Sequence, residues 1–413
     1  MLPRTALRFA WSTFKADTEN HNQAMPSCWV EVNLDAIKHN FRAIRRLVGD
    51  ATTIIAVVKA NAYGHGAVAV ARALTGEGAP YLAVTRLDEA LPLRASGLLT
   101  PILLLTPALP DELDEVVTQQ LTACLSSYED AERLSEAASR RGIAARAHLK
   151  INTGMGRLGV EPEEAAAIAE RIAKLPHIRL EAAFTHFAYA GERDPSATQE
   201  QFAKFEPLTA TISSAINISP AAFHCANSAA LLRFPSMRLS CVRPGTILYG
   251  QYPSTIAAEA AREQHVELRE AFTVKARVLA IRTLKTGQSV GYGGEWKAPR
   301  PSRIATIAVG YADGLTQEPH ARTTTSGATL TNALRQVARQ RLKRDDSLRT
   351  VSLHGKRVPI VGRIAMQQCS IDITHLEGVE IGDAVTVFMR RTSAGAHLPR
   401  IYTHDDTTGT TSN

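Results

Sequence analysis

The chain has no apolar run long enough to cross a bilayer, and its five cysteines (Cys28, Cys124, Cys225, Cys241 and Cys369) show no paired metal-ligand spacing. An odd cysteine count without a secretory signal fits a reducing cytoplasm rather than a disulfide-stapled secreted module. The first 25 residues carry Arg4 and Arg8 but no continuous apolar stretch, and Lys15, Asp17 and Glu19 follow, so they do not make a signal peptide. Residues 1–26 read as a disordered extension, with Met25 as an alternative start. A lopsided charge is missing too: a net +7 over 413 residues is too diffuse to argue for nucleic acid or a membrane surface. One basic cluster stands out, where Arg322, Arg335, Arg339, Arg341, Lys343, Arg344 and Arg349 outnumber Asp345 and Asp346. It reads as a solvated surface insertion rather than a nucleic-acid patch. What is there, 45% apolar and 21% charged residues, makes a globular chain long enough for two domains.

From Thr53 to about Gly250 the pattern alternates strand and helix. Strands are expected at Thr53–Lys59, Tyr81–Thr85, Ile102–Thr106, Leu121–Ser126, Ala145–Asn152, Leu180–Phe187, Ala222–Ala226 and Leu239–Arg243. Alanine-rich amphipathic stretches such as Asp130–Arg141 and Glu163–Lys174 lie between them. Eight such units in about 200 residues are the arithmetic of an α/β fold of the (β/α)8 TIM type. One extra strand, Trp29–Leu34, precedes it, with Asp35 expected to cap a helix through Val48. After about Arg262 the texture changes. Ala271–Leu284, Arg303–Tyr311, Val358–Ile373 and Ala384–Met389 are rich in Val, Ile and Thr and read as strands. The expected organisation is therefore a barrel over 27–262 and a mostly β domain over 263–413, interrupted by an insertion at 316–350 and ending in a disordered tail.

Chemistry in a barrel collects at the C-terminal ends of its strands. The apolar run ending in Val57-Val58 passes straight into Lys59-Ala60-Asn61-Ala62-Tyr63-Gly64-His65-Gly66. A lysine ending a buried strand is partly desolvated, which lowers its pKa and suits it to Schiff-base formation. The rival reading is a lysine snorkelling onto the surface. The fifth strand ends His148-Leu149-Lys150 and leads into Asn152-Thr153-Gly154-Met155-Gly156-Arg157-Leu158-Gly159. The sixth ends Thr185-His186-Phe187, the seventh His224-Cys225-Ala226-Asn227-Ser228, and the eighth Val242-Arg243-Pro244-Gly245-Thr246. One polar strand end means nothing. Convergence of this many on one barrel mouth makes a site.

The Lys59 decapeptide resembles the cofactor-lysine motif of the alanine racemases, a pyridoxal-phosphate family. The series Lys150–Gly159, Thr185-His186-Phe187, Asn227-Ser228, Val242–Gly250, Val290-Gly291-Tyr292-Gly293, Gly310–Gly314 and Pro399-Arg400-Ile401-Tyr402 extends the resemblance from Trp29 to Tyr402. The resemblance implies that Lys59 holds pyridoxal 5'-phosphate. It implies that Tyr63, Tyr402, the Ser228 hydroxyl and main-chain N–H groups at Gly245 and Thr246 take its phosphate beside Asn227, although Ser228 also reads as a helix N-cap. Arg243 is implied to face the pyridine nitrogen. Because a guanidinium keeps its proton, that nitrogen stays unprotonated, which favours return of a proton to Cα over transamination. His186, otherwise a structural histidine, is implied to link Arg243 to Tyr292. Two bases are implied: Lys59 on the D face of the substrate, and Tyr292, from the other subunit of a head-to-tail homodimer, on the L face. A phenol is a weak base at neutral pH, so this role needs the Arg243–His186 cations beside it. Arg157 and the N–H of Met366 are implied to hold the substrate carboxylate. Lys150 matches a lysine that is often carbamylated, against the reading of an ordinary lysine paired with a carboxylate.

There are departures. The chain has Ala365-Met366-Gln367 where the family usually has an aspartate in third place, and Gly191 and Gln317 where it has charged gate residues, while Arg363 and Tyr311 are retained. The stretch from Met389 to Tyr402 is short. The expected function is a cytoplasmic alanine racemase supplying D-alanine for peptidoglycan. The alternatives are a serine or broad-spectrum amino-acid racemase, and a decarboxylase or non-catalytic pyridoxal-phosphate protein. Arg243 and the second domain with Tyr292 argue against the last pair.

Overall fold

The computed structural model describes residues 25–216, 223–315 and 349–405. Residues 1–24 of the extension, most of the 316–350 insertion with Gln317, and the end of the tail lie outside the described residues.

Eight strands make the first sheet: β2 (Thr53–Val57), β3 (Tyr81–Val84), β4 (Ile102–Leu104), β5 (Ala123–Leu125), β6 (Ala145–Lys150), β7 (Ile178–Phe184), β8 (Phe223–Asn227) and β9 (Cys241–Arg243). They pair in parallel in the order β4-β3-β2-β9-β8-β7-β6-β5. A parallel bridge from Leu103 to Thr122 joins the two ends, so the sheet closes into the expected (β/α)8 barrel. The strands are short and almost wholly buried, as strands covered by helices outside and side chains inside must be. Each expected strand is present and begins or ends within a few residues of its sequence range. The helix Tyr128–Arg141 starts earlier than expected because Ser127 caps it, its side chain accepting from Asp130 N.

The second sheet runs β13-β16-β15-β14-β17-β10-β1-β18. Its strands are β1 (Cys28–Asn33), β10 (Phe272–Leu284), β13 (Ser302–Ile307), β14 (Thr350–Leu353), β15 (Lys356–Val361), β16 (Cys369–Asp372), β17 (Ala384–Val387) and β18 (Arg400–Thr403); β11 (Ser289–Val290) and β12 (Trp296–Lys297) form a separate hairpin. The first strand of the chain thus pairs with β10 and β18 in the β domain and not with the barrel it precedes. The expected run Val358–Ile373 is split into β15 and β16. The intervening turn is forced against the hairpin, since a side chain at Gly362 would meet Val290 O at 2.7 Å. Asp35 is not the cap of the helix Leu34–Val48. Asn33 accepts from Ala36 N at 2.8 Å, and Asp35 sits in the first turn, bonded to Lys38.

Candidate active site

One residue, Val58, separates Lys59 from the end of β2, and the chain then turns the wrong way. Ala60, Asn61, Ala62 and Tyr63 have φ of 51, 53, 53 and 53°, a full left-handed turn without a glycine. Left-handed backbone costs L-residues roughly 1–2 kcal/mol each, so outside contacts must hold it. Glu89 supplies one, accepting from Ala60 N at 2.6 Å and from Thr85 N at 2.7 Å. Asn61 accepts from Ala67 N at 2.7 Å and ties the turn to the next helix. The C-terminal segment supplies another: Arg400 donates to Gly64 O at 3.0 Å, and side chains at Gly64 and Gly66 would collide with Arg391 O and the Tyr402 hydroxyl.

The turn opens on a cavity of about 460 Å³ at the barrel mouth, lined by Lys59, Tyr63, Lys150, Arg157, His186 and Arg243 among others. Among the described residues four basic side chains and no Asp or Glu line it, so it suits an anion. Burial, reinforced by the Arg157 charge, holds the Lys59 amine below the usual lysine range. Lys150 is depressed by burial first, with Arg243, Arg157 and Lys59 adding to it while Cys124 opposes. Its Nζ donates to Leu105 O at 3.2 Å and lies 5.5 Å from the Phe184 ring centre, and none of the described ion pairs joins it to a carboxylate. His186 is pushed down to about 3 by burial and then by the charges of Arg243, Lys150, Arg157 and Lys59. It is therefore neutral, and not the cation that the sequence reading set with Arg243 beside Tyr292. Arg157 is exposed at the rim on a loop that Asn152 shapes by accepting from Gly156 N.

One wall is a cradle of hydroxyls. Asn227 caps the short helix Ser228–Arg233, accepting from Ala229 N and Ala230 N, so the cap is Asn227 and not Ser228. The Ser228 hydroxyl instead accepts from Gly245 N at 2.8 Å. A side chain at Gly245 would sit 2.5 Å from the Tyr63 hydroxyl, and the Thr246 hydroxyl is buried with no partner among the described residues. Burial pushes the Tyr63 phenol up to about 12. Tyr402, opposite Val32 in the β18–β1 pairing, brings its hydroxyl to Gly66 at the lysine turn but does not line the cavity.

Arg243 is wholly enclosed. Its Nη1 donates to His224 Nδ1 at 2.5 Å and His224 O at 3.0 Å, and its Nη2 to Thr185 O at 2.6 Å and Cys225 O at 3.3 Å. These bonds run to His224 and the main chain rather than to His186. Burial lowers the guanidinium to about 10, which leaves it charged at neutral pH. His224, His148 and Glu89 are the supporting residues that sequence reasoning gave no role. The strand parity offered a signal, because His148 lies two residues before Lys150 and so shares its face of β6.

The β-domain candidates do not line the cavity. Tyr292 is 68% exposed at the β11–β12 tip, Met366 is 58% exposed, and Tyr311 and Gln367 are also exposed. They belong to one strip: Tyr311 N donates to Ala365 O, Ala312 N to Met366 O, and Gly291 lies against Arg363, which pairs with Glu295. Gly191 lines the cavity with nothing nearer than 3.7 Å to an added side-chain carbon.

The alanine racemase N-terminal domain family matches residues 32–253, and the alanine racemase C-terminal domain family matches 271–411. The chain is 38% identical over 372 residues to an alanine racemase of Desulforamulus reducens, covering 90% of this chain and 91% of that one. An alanine racemase of Desulfovibrio desulfuricans is 39% identical over 360 residues, 87% and 88% of the two chains. The fold resembles the solved alanine racemase of Clostridium difficile 630 with a TM-score of 0.79 at 30% identity, covering 93% of this chain and 97% of that one.

Proposed function

Since the chain belongs to the alanine racemase family and is an amino-acid racemase, we propose that it interconverts L-alanine and D-alanine with pyridoxal 5'-phosphate as its cofactor. The observation that carries this reading is a cavity with four basic side chains, one of them the desolvated Lys59, and no carboxylate among the described residues, beside a wall of hydroxyls. A phosphate fits that wall. It would satisfy the buried Thr246 hydroxyl, and only glycine at 245 leaves it room beside Tyr63. Tyr63, Tyr402, Asn227, Ser228, Gly245 and Thr246 are assigned to it.

When bound, the cofactor acts as an electron sink that acidifies the substrate's Cα–H. Lys59 holds it, and Arg243, fixed through both terminal nitrogens, presents an N–H that cannot be surrendered to the ring nitrogen. Lys59 Nζ then removes and returns the Cα proton on the D face, helped by an amine already depressed by burial. Tyr292 serves the L face, delivered by a second copy of the chain because it lies exposed and off the cavity of its own barrel. Arg157, with the Met366 N–H, holds the substrate carboxylate. Lys150, buried without a carboxylate, is a fit for carbamylation, which would convert it into the anion that orients Arg157. The homodimer is read as cytoplasmic and as the source of D-alanine for peptidoglycan; no helix among the described residues is long and apolar enough to cross a membrane.

The unfilled space at Gly191 favours a second reading, a racemase that also takes serine or larger amino acids. Racemisation of L-alanine, L-serine and L-lysine by the purified holoenzyme separates the two. Turnover of none of them without added pyridoxal phosphate, and none with it, would refute both.

A further inference from the structure

Beneath the cavity a file of polar side chains runs into the barrel core, from Arg243 on β9 through His224 on β8 to His148 on β6. Arg243 Nη1 is 2.5 Å from His224 Nδ1, and His224 Nε2 is 3.1 Å from His148 Nδ1. Both histidines are buried, and none of the described ion pairs or hydrogen bonds of the three involves a carboxylate. Phe184 stacks on the His224 ring at 4.9 Å and 10° and also lies 5.2 Å from the Arg243 guanidinium, which fixes the planes.

The protons in this file are determined by elimination. A guanidinium has donors only, so His224 Nδ1 is the bare nitrogen. A neutral imidazole carries one N–H, which therefore sits on His224 Nε2 and donates to His148 Nδ1. His148 Nδ1 is then bare as well. A second proton on His224 would set N–H against N–H. Burial and the Arg243 charge both oppose it: His148 is pushed down to about 3, and His224 well below its ordinary value.

We propose that His148, which does not line the cavity, is a positioning residue for the racemase site: by accepting from His224 it fixes the tautomer in which His224 can accept from Arg243. A carboxylate in place of His224 would bind the same N–H but cancel the charge. Neutral imidazoles hold the guanidinium while leaving its full charge facing the cavity. The inference rests on the reading that Arg243 faces the cofactor ring.

The test uses holoenzyme labelled with 15N-histidine. His148→Leu removes the acceptor at similar volume, and His148→Asn keeps an oxygen near the Nδ1 position. The wild-type and His148→Asn proteins should show His224 as a single Nε2–H tautomer, unchanged from about pH 6 to about pH 9. His148→Leu should lose that single form. Its kcat should fall about tenfold with KM within about twofold, the scale of one mispaired buried hydrogen bond. The share of events ending in transamination, with pyruvate released and the amino group left on the cofactor as its pyridoxamine form, should rise. A doubly protonated or Nδ1–H His224 in the wild type would sink the proposal without any variant, and so would a His148→Leu protein with unaltered tautomer and kcat. Arg243→Gln separates the two readings. If it leaves pyruvate formation unchanged, the role of Arg243 fails. If it raises pyruvate while His148→Leu does not, only the role of His148 fails.

Discussion

The barrel mouth and the β-domain strip that carries Tyr292, Tyr311 and Met366 are held in opposite ways. At the mouth, Lys59 stands on a strained turn pinned by Glu89 and Arg400, and Arg243 is bonded through both terminal nitrogens. In the strip, Tyr292 rides on an exposed tip between Gly291 and Gly293, both at positive φ, with an exposed Arg363–Glu295 pair as its neighbour. Exposed pairs of this kind fix little, typically 0–1 kcal/mol. One region is finished within a single chain. The other has reactive groups without a pocket, and the proposed homodimer supplies the pocket from the second copy.

The largest effect that would test this contrast is Lys59→Ala, expected to lower racemisation by about 10⁴-fold or more, since the residue both holds cofactor and moves a proton. Borohydride treatment and peptide mapping of the wild type should place the pyridoxyl label on Lys59, and a label on another lysine would refute the assignment. Next comes Tyr292→Phe, which keeps the ring and should slow racemisation in both directions by about 10²–10⁴-fold. Washout of the Cα hydrogen in D2O, followed by NMR, should stay fast from D-alanine and become slow from L-alanine. Equal loss from both would leave Tyr292 as a positioning group. The two regions can also be tested against each other: mixed dimers of Lys59→Ala and Tyr292→Ala chains contain one site with both bases, and verified heterodimers without activity would rule out a shared site.

A smaller effect is expected at the cradle. Gly245→Ala puts a carbon within 2.5 Å of the Tyr63 hydroxyl and should weaken cofactor binding by about tenfold, the cost of modest overpacking, measurable by equilibrium titration. The last prediction reads stability rather than turnover or binding, and concerns acid. His65 and His148 are buried and held near 3 against an ordinary 6.5, so below pH 6.5 the unfolded chain binds protons that the folded one refuses. Stability should be full above that value and fall by about 1.4 kcal/mol per pH unit for each such histidine as the pH drops toward 3. Urea midpoints between about pH 7 and about pH 5 give the slope. A flat profile would mean these rings are charged in the fold.

The barrel was readable because its strands are short apolar runs whose ends carry reactive residues, Lys150 and Arg243 at the last position of β6 and β9 and Lys59 two residues beyond β2. The sequence reading placed Lys59, Tyr63, Lys150, Arg157, His186, Asn227, Ser228, Arg243, Gly245 and Thr246 at a site, and all of these line the cavity. What could not be read depends on contacts far apart in the chain. Asn33 outcompetes Asp35 as cap because β1 ends one residue earlier than the apolar run does. The bond from Arg243 to His224 spans two strands whose relative stagger no local pattern reveals, and the pattern around Lys59 predicts a turn without its hand.

That hand sets a schedule for synthesis. The lysine turn is made first, at residues 59 to 63, and Arg400 and Tyr402, which brace it at Gly64 and Gly66, follow only later, Arg400 coming 336 residues after Gly64. The barrel strands can pair before then; the strained turn gains its clasp only when β18 lies down beside β1. The conformation of the lysine turn is thereby tied to the arrival of β18, so a chain that stops before Arg400 carries the lysine without this clasp.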